Sequence, residues 1–167
     1  MDVTLLITYD PAHIESSRGK VENLFKEINV KPEFLKSKYD GIFLLNVPEP
    51  KEIVKKLTRI SKKDKELFGR THRYIPIDKW VKSKVPDMQN AIKTLVPKIK
   101  KEEKWMMDIE KRHYDKLDFK ELIIKLTDVV NREKIDLNKP KKIIKVEIVG
   151  NDAGISVLEP DEMLIVS

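Results

Sequence analysis

Residues 3–77 alternate between two hydrophobic periods, and this alternation restricts the fold more than any single motif does. Val3-Thr4-Leu5-Leu6-Ile7-Thr8 is short, apolar and β-branched, which predicts a buried strand. Asp10-Pro11 breaks it. Ile14, Val21, Leu24, Phe25 and Ile28 then recur at helical spacing and predict one face of an amphipathic helix. Residues 31–38 alternate weakly and read as a second strand. Tyr39-Asp40-Gly41 is a turn signal, because Asp-Gly supplies the positive φ that a tight hairpin needs. Ile42-Phe43-Leu44-Leu45-Asn46-Val47 is the third strand. Pro48 and Pro50 end it and open a second helix, with Ile53, Val54, Leu57 and Ile60 inward. Thr71 to Ile77 completes the set as a fourth strand.

The order βαββαβ is the ferredoxin-like pattern. It predicts an α+β protein with one such unit over residues 1–75 and a second unit over residues 76–167. In the second unit, Trp80 and Val81 are expected on a short helix before Pro86. Asp87 is expected to cap the next helix, which buries Met88, Ala91, Ile92, Leu95 and Val96 until Pro97 ends it. Trp105, Met107 and Ile109 alternate along a strand that ends at Lys111-Arg112-His113. Asp118 caps a helix whose stripe is Phe119, Leu122, Ile123, Leu126, Val129 and Val130. Two strands joined by a glycine-bounded loop, Gly150 to Gly154, close the chain. The second unit therefore reads ααβαββ.

Cysteine is absent, which removes disulfides, thiolate nucleophiles and cysteine-based metal sites together. Abundant lysine and glutamate without cysteine fit a heat-adapted source. Apolar runs such as Ile42 to Leu45 are far shorter than the ~20 residues that cross a bilayer. The N-terminus lacks a basic region before its apolar run, so no secretory signal is expected and the cytoplasm is the expected compartment.

The formal net charge of +6 makes nucleic acid the first partner to consider. The charge is segregated. Between Lys51 and Arg73 nine basic residues face only Glu52, Asp64 and Glu66. A second cluster is Lys98, Lys100, Lys101 and Lys104, and a third is Lys139, Lys141, Lys142 and Lys145. Asp152, Glu159, Asp161 and Glu162 leave the C-terminal segment acidic. Such clusters suit phosphate contacts, with Arg70, Arg73 and Arg112 able to make them bidentate. Each run taken alone also reads as a solvated helix face or loop.

Little in the chain points to catalysis. His13, His72 and His113 share no metal-ligand spacing, although His113 beside Arg112 is placed to touch RNA. Asp108 and Glu110 project from one strand face and could do acid–base work or hold magnesium, but they also fit the wet face of a half-buried strand. No phosphate loop, dinucleotide fingerprint or nucleophile elbow occurs. Trp80 and Trp105 occupy apolar periodic positions, where core packing is the simpler role than base stacking. No cofactor, metal or catalytic residue is expected.

Four segments carry a resemblance: Pro76-Ile77-Asp78-Lys79-Trp80, Ile109-Glu110-Lys111-Arg112-His113, Asp136-Leu137-Asn138-Lys139-Pro140, and Val146-Glu147-Ile148 through Gly154-Ile155-Ser156-Val157. Over residues 76–167 the chain resembles the THUMP domain, an RNA-binding module of tRNA-modifying proteins. The preceding unit looks like the ferredoxin-like domain that accompanies it. Within that family the chain is most similar to a short archaeal and eukaryotic group without a catalytic domain, since it ends at Ser167 just after the module. That group acts as a tRNA-binding adaptor beside a separate RNA cytidine N4-acetyltransferase. The resemblance implies recognition of the tRNA acceptor end. Lys111 and Arg112 match the family's basic strand end, and Lys98, Lys100 and Lys101 a basic stretch after the preceding helix. Asp136 and Pro140 are expected to shape the backbone turn. With Arg70, Arg73, Lys104, His113, Lys141 and Lys142, these cations form the expected RNA surface. Two other readings stay open: a small RNA-cleaving enzyme using His113 with Asp108 or Glu110, and a basic module for an acidic protein partner.

Overall fold

The computed structural model describes residues 2–166. The chain divides into two compact units, Met1–Ile77 with Asp161–Ser167, and Asp78–Pro160.

In the first unit, β1 (Leu5–Tyr9), α1 (Ile14–Glu27), β2 (Glu33–Leu35), β3 (Ile42–Asn46), α2 (Pro50–Lys63) and β4 (Thr71–Pro76) follow the expected βαββαβ order. The sheet order is β2-β3-β1-β4, with antiparallel pairs throughout and Leu5 opposite Leu45 and Pro76. Every residue of β1 is buried, as befits a central strand. Leu5, Ile7 and Tyr9 meet Val21, Leu24 and Phe25 of α1 and Ile53, Val54 and Leu57 of α2 in one core. Gly41 has φ +82°, and a side chain there would meet the Tyr9 carbonyl oxygen at 3.1 Å. The glycine thus serves both the turn and the close approach of β1. The turn itself is longer than a tight hairpin, because β2 ends at Leu35. Ile14 departs from the expected stripe: it is half exposed at the first residue of α1.

A fifth strand, β9 (Leu164–Ile165), joins the β4 edge, with Tyr74 opposite Leu164 and Arg73 opposite Ile165. This corrects the expected second unit of residues 76–167. The last residues return to the first unit because β4 offers an unpaired edge and Leu164 completes its core.

The second unit contains β5 (Lys79–Lys82), α3 (Val85–Leu95), β6 (Trp105–Arg112), α4 (Phe119–Thr127), β7 (Lys142–Val149) and β8 (Asp152–Leu158). Its sheet order is β5-β8-β7-β6; β6 and β7 run parallel and the other pairs antiparallel. A parallel pair needs a crossover, and α4 supplies it. The order is βαβαββ, not ααβαββ. Residues 79–82 are a strand because they pair with Asp152–Ile155 of β8, which overrides the local pattern around Trp80 and Val81. Pro86 sits in the first turn of α3 and starts that helix; Asp87 lies inside the turn and Lys84 occupies the cap position. Asp118 does cap α4, its Oδ1 accepting from the Glu121 N–H at 2.8 Å. Phe119 is half exposed at the helix start, whereas Leu122 and Leu126 are buried. With Trp105, Met107, Ile109, Ile144, Val146, Ile148 and the apolar face of α3 they form one core. Trp105 is a core residue, and its indole N–H donates to the Arg132 carbonyl at 3.1 Å.

Candidate nucleic-acid interface

Strand β6 fixes where the basic residues lie in the second unit. Trp105 pairs with Lys142 at its start and Arg112 with Val149 at its end. Eight residues of strand separate the two ends by about 23 Å. The expected cations of the second unit therefore fall into two groups.

Backbone bonds gather three chain segments at the start of β6. The Lys104 carbonyl accepts from the N–H groups of Lys141 at 2.8 Å and Lys142 at 3.1 Å, and the Trp105 N–H donates to the Lys134 carbonyl at 2.9 Å. Lys100, Lys101, Lys104, Lys134, Lys139 and Lys141 are exposed here. Lys101 opens onto a cavity of about 280 Å³ with Asn131, Arg132 and Glu133. The loop between α4 and β7 turns at Asp136, whose Oδ1 accepts from the N–H groups of Asn138 at 2.9 Å and Lys139 at 3.0 Å. This is the turn-shaping role expected of Asp136. Those N–H groups, with Lys104 at 3.5 Å from Oδ2, hold its carboxyl below the usual range. Arg132 is spent on structure: its Nε donates to the Ile99 carbonyl at 2.7 Å and its Nη1 to the Asn131 carbonyl at 3.0 Å.

Several of these cations already have anionic neighbours. Lys104 faces Asp136 at 3.5 Å, Lys141 faces Glu159 at 3.6 Å, and Lys98 faces Asp78 at 3.4 Å. All three lysines are half exposed or more, so these pairs are weak and leave the heads open to phosphate. Lys142 differs. Its Nζ lies 2.8 and 3.0 Å from the two Glu103 carboxylate oxygens, and both side chains are largely buried. It ties the loop before β6 to β7 and is withdrawn from the expected RNA set. The hydrogen bond from Lys142, joined by the Lys100 N–H, holds the Glu103 carboxyl below its ordinary 4.5. A depressed folded value contributes stability that is complete above 4.5 and lost as pH falls through the folded value. Urea unfolding should therefore find Glu103→Gln less stable than the native protein at pH 7. The gap should close as the pH drops below 4.5.

At the other end of β6, Arg112 is half-buried and its carbonyl accepts from the Gly150 N–H at 2.8 Å. His113 is exposed, with φ 54°. Lys111 points its Nζ at the Leu117 carbonyl, 3.3 Å away, so it braces the loop after the strand instead of facing a ligand. A cavity of about 250 Å³ lies at this end, lined by Lys82, Ser83, Lys84, Lys116 and Asn151. Sequence reading missed these three lysines. They come from the end of β5, the start of α3 and the loop after β6, and only the β5–β8 pairing brings them together. Arg70 and Arg73 lie in the first unit, Arg70 exposed before β4 and Arg73 half-buried within it.

Asp108 Oδ2 lies 3.4 Å from the Lys145 ammonium, while Glu110 is exposed. His113 follows the last residue of β6, five positions after Asp108. Among the described residues no group of three or more His, Asp or Glu side chains could hold a metal ion. No described helix is long and apolar enough to cross a membrane.

No protein-family model and no curated protein matches the sequence. Solved structures do match. PH1313 from Pyrococcus horikoshii Ot3 is 15% identical with a TM-score of 0.65, over 94% of this chain and 55% of that one. TrmN from Thermus thermophilus is 13% identical with a TM-score of 0.58, over 92% of this chain and 44% of that one. A weaker match is the THUMP domain of THUMP domain-containing protein 1, 18% identical with a TM-score of 0.34, over 43% of this chain and 85% of that one. The chain thus spans about half the length of the first two. Those two likenesses concern the fold, and the fold is the two-unit α+β arrangement that the THUMP resemblance implied.

Proposed function

We propose that this chain is a tRNA-binding module that presents tRNA, by its acceptor region, to a separate RNA cytidine N4-acetyltransferase. The observation that carries the RNA part is the grouping of exposed cations at the two ends of β6, about 23 Å apart on one rigid strand. Two basic patches held at a fixed spacing can grip phosphates at separated points of one folded RNA, which fixes its register before any base is read. The sequence resemblance to THUMP proteins, whose fold this chain shares, supports tRNA as the RNA. The lack of cysteine and of a glycine-rich phosphate loop in these residues favours the adaptor role.

Binding to a mature tRNA, to the same tRNA lacking its 3′ single-stranded end, and to a random duplex across a salt series tests the RNA claim. The intact tRNA should bind tightest, and all three affinities should fall with salt. Equal affinity for the three would reduce the module to a generic basic surface. The adaptor claim is tested separately. Adding the protein to a purified RNA cytidine acetyltransferase with acetyl-CoA and tRNA should raise the yield of N4-acetylcytidine; an unchanged yield refutes it.

A further inference from the structure

We propose that the groove between α1 and the edge strand β2 of the first unit holds one unpaired nucleotide of a bound RNA. The proposal rests on the RNA-binding reading and adds a site which that reading does not use. The groove has a volume of about 640 Å³. Helix α1 contributes Arg18, Glu22 and Lys26, which share one face at four-residue spacing. The segment after the helix contributes Asn29, Lys31 and Phe34.

The central feature is a positioned guanidinium plane. Arg18 Cζ sits 4.1 Å from the Phe34 ring centroid, and Arg18 Nε lies 3.6 Å from Glu22 Oε1. Phe34 is itself fixed. It meets Phe43 edge-on at 5.4 Å, and Phe43 stacks on Tyr9 at 4.0 Å, both of them buried. Arg18 therefore rests on a pile of rings rooted in the core, while its own side chain stays 53% exposed. A base laid on the guanidinium would extend that pile, a recurrent way of seating unpaired bases. Lys26 and Lys31 stand where the attached phosphates would lie. Glu22 can accept a hydrogen bond from a base N–H, and Asn29 can both donate and accept.

Charge decides the occupant: three cations face one carboxylate in the groove, which favours an anion carrying a flat ring. A peptide adding a strand is the weaker candidate. The open edge of β2 is three residues long and offers few main-chain bonds.

The test is mature tRNA affinity for the native protein, Arg18→Ala and Arg18→Lys, with far-UV circular dichroism confirming that each is folded. Arg18→Ala should weaken binding about tenfold through the lost stacking. Arg18→Lys should lose nearly as much, because it keeps the charge and discards the plane. Native affinity in Arg18→Lys would overturn the stacked nucleotide and leave only an electrostatic contact. Native affinity in both variants would overturn the groove while the RNA-binding reading stands. Failure of the native protein to bind tRNA at any salt would remove the reading and the groove together.

Discussion

Lys145→Met should lower the unfolding free energy by about 3–5 kcal/mol, the usual cost of withdrawing one partner from a buried ion pair. Lys145 is fully buried in β7, with its ammonium 3.4 Å from Glu147 Oε1 and 3.4 Å from Asp108 Oδ2. Glu147 is 1% exposed, two residues along the same strand face. The substitution keeps the length and apolar stem of the lysine, so little packing is lost. It removes the positive charge beside a carboxylate that water cannot reach. Asp108 is a third exposed and would be resolvated, so the penalty belongs chiefly to Glu147. Adding Glu147→Gln should therefore recover part of the loss, making the double variant more stable than Lys145→Met alone. Urea unfolding of the four proteins measures this cycle. A double variant no better than the sum of its parts would show that the two side chains are not coupled.

Lys145 also shows how far the sequence could be read. In the sequence it belongs to a basic cluster with Lys139, Lys141 and Lys142, and nothing local distinguishes the four. The fold separates them. Lys139 and Lys141 stay exposed, Lys142 is tied to Glu103, and Lys145 lies under 1% exposed between two carboxylates. Periodicity located the helices and the long strands, because burial of one stripe or one face leaves its period in the chain. The cap at Asp118 was legible because its side chain satisfies its own neighbouring backbone, and the turn at Asp136 was implied by the resemblance. Strands β5 and β9 were not legible. They are four and two residues long, and pairing with β8 and β4 makes them strands. The basic patch of Lys82, Lys84 and Lys116 was hidden with β5, since its members meet only once that strand is placed. Ion pairing was hidden too, because Glu103 and Lys142 are far apart in sequence and adjacent only across the β6–β7 register.

The largest functional effect is expected at the start of β6. Replacing Lys100, Lys101, Lys104 and Lys141 together by Gln should weaken tRNA binding about 10²–10³-fold at physiological salt. It should also reduce the slope of log affinity against log salt by about 3 to 4, roughly one per lost phosphate contact. Neutral Gln is preferable to Glu here. A reversed charge would stand against Asp136, 3.5 Å from Lys104, and Glu159, 3.6 Å from Lys141, mixing folding strain into the binding result. Lys142 is left in place because its loss would free Glu103 instead of reporting on RNA. The matching variant at the far end of β6 is Lys84→Gln with Lys116→Gln, which should reduce the slope by about 2. Slopes that fall for both variants mean that one RNA engages both ends of the strand, as a grip at two fixed points requires. A fall for one variant alone would confine the RNA to that end. The spacing along β6 would then be a property of the fold and not of the recognition.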